Sequence, residues 1–321
     1  MGAIIARWER HQVALYAISI GVGAVVGTLL PAAAPLLESA IMPVLAALLF
    51  ATFLGVPFTA IGRGITDGRF LGVVVVLNFV VVPVVVFGLS RVVAADQAVL
   101  VGVLLVLLTP CVDYVIVFAG LAGGDRSRLL AVTPVLMLLQ LLLLPPLLWL
   151  FAGPEVAAAF DPQPFLVAFL LLIVLPLTLA FATQALGRRH TAARAIENAG
   201  LAAMVPLMML TLAIVVGSQL SAVGDDLADL LVAVALFLLF ALIMTALGVI
   251  ISRAARLDVP GRRAVTFSGV TRNSLVVLPL ALALPQQFAL APLVVVTQTM
   301  VELVVMVALI AVLPRVIRPR R

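Results

Sequence analysis

Ten mostly apolar runs divide the chain, near residues 13–30, 37–58, 70–89, 98–122, 129–151, 165–186, 201–220, 227–251, 264–284 and 288–313. Each approaches the length of about 20 residues at which a helix crosses a hydrocarbon core, so the pattern predicts ten transmembrane helices. Two runs are broken near their middle, the fourth at Thr109-Pro110-Cys111 and the ninth at Thr271-Arg272-Asn273-Ser274. A break frees backbone groups that lipid cannot satisfy, so it survives only inside protein or beside a watery cavity. The polar side chains at both breaks make the same demand, and they separate these two sites from the ordinary kinks expected at Pro83, Pro134, Pro145, Pro146, Pro176 and Pro279.

Charge supports the count, because arginine-rich and acidic connections alternate. Arg7 and Arg10, Arg63 and Arg69, Arg126 and Arg128, the cluster Arg188, Arg189 and Arg194, the cluster Arg253, Arg256, Arg262 and Arg263, and the tail from Arg315 to Arg321 share one side. Arg91 stands alone on the other, with Glu38, Asp96, Glu155, Asp161, Asp225, Asp226 and Asp229. The arginine side is expected to be the cytoplasm, which puts both termini there and the protein in the cytoplasmic membrane as a multi-pass chain. With 65% hydrophobic and 10% charged residues and a mean hydropathy of +1.34, the composition is that of an integral membrane protein. A net charge of +5 dispersed over short cytoplasmic segments reads as topology and lipid contact, so no nucleic acid partner is expected. The first run reads as a retained helix, not a signal peptide. A single cysteine excludes an intrachain disulfide.

Five runs precede the polar stretch 152–164 and five follow it. An odd number per half inverts the second half in the membrane, so residues 1–155 and 156–321 are expected to be two inverted five-helix repeats of one all-α membrane domain. The broken fourth and ninth helices occupy corresponding positions and are expected to cross at the midplane, where such pairs supply half-helix ends to a substrate.

At the first break, Thr109 suits an N-cap and Pro110 a first helical position, which would set Cys111 in the first turn of a new half-helix. There the helix dipole favours thiolate and the binding of soft, thiophilic species. A buried cysteine that only packs is the competing reading. Thr109, Asn273, Ser274 and Arg272 complete the candidate substrate contacts. Asp113, Glu302 and Arg272 form the candidate charge network, in which Arg272 is expected to pair with one carboxylate and leave the other to exchange protons. A static ion pair joining two helices is equally compatible with these residues. Asn78 and Gln140 are supporting polar positions able to bridge helices.

These residues resemble the bile acid:sodium symporter superfamily, and within it the arsenical-resistance permeases that expel arsenite. Cys111 is followed fourteen positions later by the aspartate of Leu121-Ala122-Gly123-Gly124-Asp125, similar to the permease pattern of a membrane cysteine leading into Leu-Ala-Lys-Gly-Asp. Asn78 with Pro83 is similar to the family's Asn-Trp-x-x-x-Pro, Gln140 to the glutamine of its fifth span, and Val301-Glu302 to the Val-Glu of its tenth. The resemblance implies that Cys111 contacts trivalent arsenic, carried as substrate. Two departures stand out. The permeases' ninth-span Ser-Asn-x-Phe-Glu is here Thr271-Arg272-Asn273-Ser274-Leu275, and the sodium symporters' Glu-x-Gly-x-Gln-Asn has Ser268 at its glutamate and Arg272 at its glutamine. A fixed guanidinium there would repel sodium.

The expected function is arsenite export by alternating access with proton antiport. A sodium-independent carrier of small organic anions that meet Arg272 is the alternative. No enzymatic activity or cofactor is expected. Asp113 and Asp125 lie about 18 Å apart at about 1.5 Å rise per residue, too far for a proton-sharing dyad. The expected partners are the substrate, protons, the bilayer and, as an option, further copies of the chain.

Overall fold

The computed structural model describes residues 2–55, 67–112, 114–159, 170–219 and 227–318. Its helices are α1 (Gly2–Leu29), α2 (Ala34–Leu54), α3 (Gly68–Val76), α4 (Val82–Ser90), α5 (Gln97–Leu107), α6 (Tyr114–Leu121), α7 (Arg126–Ala159), α8 (Leu175–Gly187), α9 (Thr191–Gln219), α10 (Leu227–Ala254), α11 (Val259–Val270), α12 (Ser274–Leu282) and α13 (Ala291–Val316). Among the described residues, six helical stretches are long and apolar enough to cross a membrane: Pro31–Leu54, Gly68–Val93, Arg126–Gly153, Thr191–Ser218, Leu230–Ala254 and Gln286–Val316. They coincide with the second, third, fifth, seventh, eighth and tenth apolar runs. The fourth and ninth runs are each split into two short helices, α5 with α6 and α11 with α12. The first and sixth give shorter apolar helices, Ala14–Leu29 and Leu175–Gly187, and the start of the sixth run lies outside the described residues.

Local chemistry sets several boundaries. Asp67 accepts from the Phe70 N–H at 3.0 Å and opens α3. Asp96 accepts from Ala98 and Val99 at 2.9 and 3.0 Å and opens α5. Both satisfy amides that a helix start leaves unpaired. Pro83 and Pro176, expected to be simple kinks, instead each follow a π-helical turn by two residues, Leu77–Val81 and Leu170–Val174. A proline ring clashes with the carbonyl four residues back and leaves it without a donor, and one wider turn relieves that crowding.

The chain divides into two compact units, Met1–Gly55 with Pro162–Ala228, and Val56–Asp161 with Asp229–Arg321. In the first, α9 packs along both α1 and α2, and α8 packs on α2 and α9. The approach of α1 to α9 depends on small residues: Gly23-Ala24-Val25-Val26-Gly27 faces Ala213-Ile214-Val215-Val216-Gly217. A Cβ on Gly27 would stand 2.6 Å from the Gly217 carbonyl oxygen, and one on Gly23 would strike the backbone of Ala213. Where lipid is as apolar as leucine, close backbone packing is what holds helices together. Gly27→Leu is therefore expected to lower stability by about 1–3 kcal/mol through overpacking, read as a drop in the unfolding temperature of the purified protein.

In the second unit, every residue from Val99 to Leu107 is buried. A helix with no polar face belongs in an interior, and α5 is covered by α13, α7 and α12. Gly102 permits the α13 contact, since a Cβ there would meet Val294 at 2.8 Å and the Ala291 carbonyl at 2.9 Å. The buried rod α5 thus delivers its C-terminal end, and the first break, to the centre of this unit.

Candidate functional site

The two breaks meet. The Cys111 N–H donates to the Thr271 carbonyl at 3.2 Å and the Asn273 N–H to the Thr109 carbonyl at 2.8 Å. Pro110 and Arg272 face each other in an isolated antiparallel bridge. Backbone groups freed by one break are thereby satisfied by the other, which answers the requirement that such groups find partners within the protein. This corrects one expectation. Residues 109–112 are not helical, and the next helix is α6, Tyr114–Leu121, so Cys111 lies outside any helix and not in a first turn. Thr109 does not cap; its hydroxyl donates back to Leu105 O at 2.8 Å, as that of Thr271 does to Phe267 O at 2.9 Å. On the opposite segment Asn273 does cap, its Oδ1 accepting from the Val276 N–H at 3.3 Å.

Arg272 is fully buried. Its Nη2 donates to Asn78 Oδ1 at 2.7 Å and to the carbonyls of Ser268 and Gly269 at 2.8 and 2.9 Å, and its Nη1 to Leu107 O at 3.3 Å. Its guanidinium carbon lies 5.6 Å from the centre of the Phe240 ring, within cation–π range. Asn78 sits in the π-helical turn and is held in place by its own donors, to Ser268 Oγ and Val74 O, both at 3.0 Å. The carbonyls at the C-terminal ends of α5 and α11 are the negative poles of those helices, so a cation is well placed there. A charge buried this deeply persists only when hydrogen-bonded on several sides.

Glu302 reaches the same break from α13. Its Oε2 accepts from the backbone N–H of Arg272 at 2.8 Å and from the Gln298 side-chain amide one turn earlier. Beside them is a cavity of about 10 Å3, bordered by Gln298, Glu302, Phe240 and Val270. Thr299 donates to Ser274 Oγ at 2.7 Å, tying α13 to the start of α12. Gln298 Oε1 and Asn273 Nδ2 are buried with no hydrogen-bond partner among the described residues. Gln298 and Thr299 were not read from the sequence; their spacing from Glu302 along one helix face was the available signal.

Cys111 is 1% exposed. The next residue, Val112, offers its carbonyl to Thr133 Oγ1 on α7 at 3.4 Å. Of the expected site residues, Cys111, Thr109, Arg272, Asn273, Ser274, Asn78 and Glu302 therefore lie in one connected region of this unit. Gln140 is buried on α7, its Oε1 without a partner among the described residues, and no bond joins it to that region. Asp113 lies outside the described residues.

Asp125 has a structural place away from the breaks. It caps α7 by accepting from the Arg128 N–H at 3.0 Å, and its amide donates to Pro260 O at 3.1 Å. Arg128 in turn bridges Asp67 at 3.2 Å, Asp125 at 3.4 Å and Asp258.

Residues 42–225, more than half of the chain, match the model of the Sodium Bile acid symporter family. The chain belongs to that family. No curated protein sequence matches it significantly. The match takes in the first break and the π-helical turn at Asn78 and stops short of the second break. Members of the Sodium Bile acid symporter family are membrane transporters and not enzymes, so this multi-pass chain is a membrane transporter of that type, in contact with the bilayer and a small-molecule substrate.

Proposed function

We propose that this transporter exports arsenite from the cytoplasm by alternating access in exchange for protons, without sodium. The observation that carries the reading is the paired breaks: the backbone of Cys111 is bonded to Thr271 within a buried polar segment that also holds Thr109, Arg272, Asn273 and Ser274. Arsenite at neutral pH is the uncharged trihydroxide, a soft centre bearing hydroxyl groups. A Cys111 thiol displaces one hydroxide as water, the thiol proton leaving with it, while hydroxyl and amide neighbours bond the remaining oxygens. One sulfur ligand gives a hold weak enough to release, which three would not.

Arg272 supports sodium independence. Its guanidinium is bonded by an amide oxygen and three carbonyl oxygens, the kind of donor set a hard cation takes. A fixed charge in such a set leaves a sodium ion no favourable place. The same bonds disfavour the organic-anion alternative, since donors directed at backbone carbonyls are not offered to a carboxylate. Glu302, adjoined by Gln298 and a small cavity, is the proposed proton carrier. Two inverted repeats, 1–155 and 156–321, with ten spans, crossing fourth and ninth helices and both termini in the cytoplasm, complete the proposal. In its support, each compact unit takes segments from both halves.

The test is arsenite accumulation in everted vesicles of cells making the protein. Uptake driven by an imposed proton gradient and indifferent to a sodium gradient is expected. Sodium-stimulated uptake would overturn the role given to Arg272, and no uptake under either gradient would overturn arsenite as substrate.

A further inference from the structure

Away from the breaks, the second unit has a cavity of about 740 Å3 where the ends of α10, α11 and α13 converge. Four arginines line it, Arg253, Arg256, Arg262 and Arg318, against a single carboxylate, Asp258. That carboxylate is already engaged by Arg128. Among the described residues, Arg253 and Arg256 have no carboxylate within ion-pairing distance. The lining therefore carries an excess of fixed positive charge within one concavity, where like charges repel unless an anion enters.

Helix dipoles do not explain the whole cluster. Arg253, in the last turn of α10, is well placed at a helix C-terminus, but Arg262 lies in the first turns of α11, the end that disfavours cations. Arg256 has φ 53°, the one non-glycine residue among those described in the left-handed region. A left-handed backbone is strained for arginine and not for glycine. The turn is closed by the Arg256 N–H to Arg253 O at 2.9 Å and the Leu257 N–H to Ser252 O at 3.2 Å, a helix end at which glycine is the usual residue. The side chain at 256 is thus held at the cavity against backbone preference. All 19 basic residues of the chain are arginine, and a guanidinium fork matches the paired oxygens of a phosphate. Leu257, Val259 and the exposed Val316 give the same cavity an apolar border.

We infer that this cavity is a binding site for a phosphate oxyanion, presented as the headgroup of an anionic phospholipid or as free phosphate, separate from the transport site and independent of the arsenite reading. Basic pockets beside membrane helices take such headgroups. Binding there ties the ends of three helices together and stabilises the folded unit by mass action.

The experiment is thermal unfolding of the purified full chain in neutral detergent, with added phosphatidylglycerol, phosphatidylcholine or inorganic phosphate. Phosphatidylglycerol should raise the unfolding temperature saturably, by roughly 2–5 °C, and phosphatidylcholine should not. A comparable rise with inorganic phosphate would assign the site to the free ion; a rise with the lipid alone assigns it to a headgroup. The double variant Arg253→Gln, Arg256→Gln should lose most of the rise while unfolding like wild type in phosphatidylcholine. Arg318→Gln, a single change at an exposed position, serves should the double variant not fold, and should weaken the response. An equal rise in wild type and variants, or none with either phosphate probe, would overturn the inference.

Discussion

Replacing Arg272 with alanine is expected to abolish transport and to destabilise the unit that contains it by about 3–5 kcal/mol, the usual cost of removing one member of a buried charged network. The reason lies in what stays behind. Asn78 Oδ1 and the carbonyls of Leu107, Ser268 and Gly269 would lose their arginine donor in a region closed to water. Each buried acceptor left unsatisfied costs about 1–3 kcal/mol, partly offset because a buried charge is also removed. The backbone amide of residue 272 still donates to Glu302 in the variant, so the substitution tests the guanidinium alone. Arg272→Lys should fall between the two, since one ammonium keeps the charge but cannot span acceptors on α3–α4, α5 and α11 together. Unfolding of the purified variants, followed beside transport in vesicles, checks this. A variant that melts with wild type and still transports would show that the guanidinium does not hold the breaks.

The sequence made the breaks themselves legible, because Thr109-Pro110 and Thr271-Arg272-Asn273 are polar islands in apolar runs, and a polar island in a membrane helix has few places to go. Their joint geometry was not legible. Thr109, Pro110 and Cys111 read locally as a helix start, and the reading fails because their backbone groups are satisfied by Thr271 and Asn273, some 160 residues away. Local rules for capping carry no information about a partner so distant. Arg272 raised a similar difficulty. Charge counting weighed side chains alone, while the guanidinium also donates to an amide oxygen and to carbonyl oxygens at two helix ends, and backbone carbonyls are invisible in a sequence. The π-helical turns before Pro83 and Pro176 belong to the same class: proline announces a disturbance without saying which turn will absorb it. For the seam of α1 with α9, by contrast, the sequence did contain the signal. Gly23 and Gly27 are spaced for close helix packing, and so are Ala213 and Gly217.

Cys111→Ser is expected to reduce arsenite transport by more than about tenfold, since trivalent arsenic prefers sulfur to oxygen and loss of a ligand weakens such sites at least that much. Stability should change by less than about 1 kcal/mol. The substitution exchanges one small buried group for another of similar size, and the backbone bond of residue 111, from its N–H to Thr271 O at 3.2 Å, is available to serine as well. That contrast separates a ligand from a packing residue. A cysteine that only fills space would lose stability in Cys111→Ser as the hydroxyl met an apolar wall, and transport would fall in proportion to the folded fraction. A ligand loses transport while the protein unfolds at the wild-type temperature. The same vesicles discriminate further when Arg272→Lys is set beside Cys111→Ser, because a carrier that held organic anions through the guanidinium would tolerate the serine and fail with the lysine. Arsenite uptake unchanged in Cys111→Ser would remove the thiol from the mechanism, and with it the argument for a thiophilic substrate.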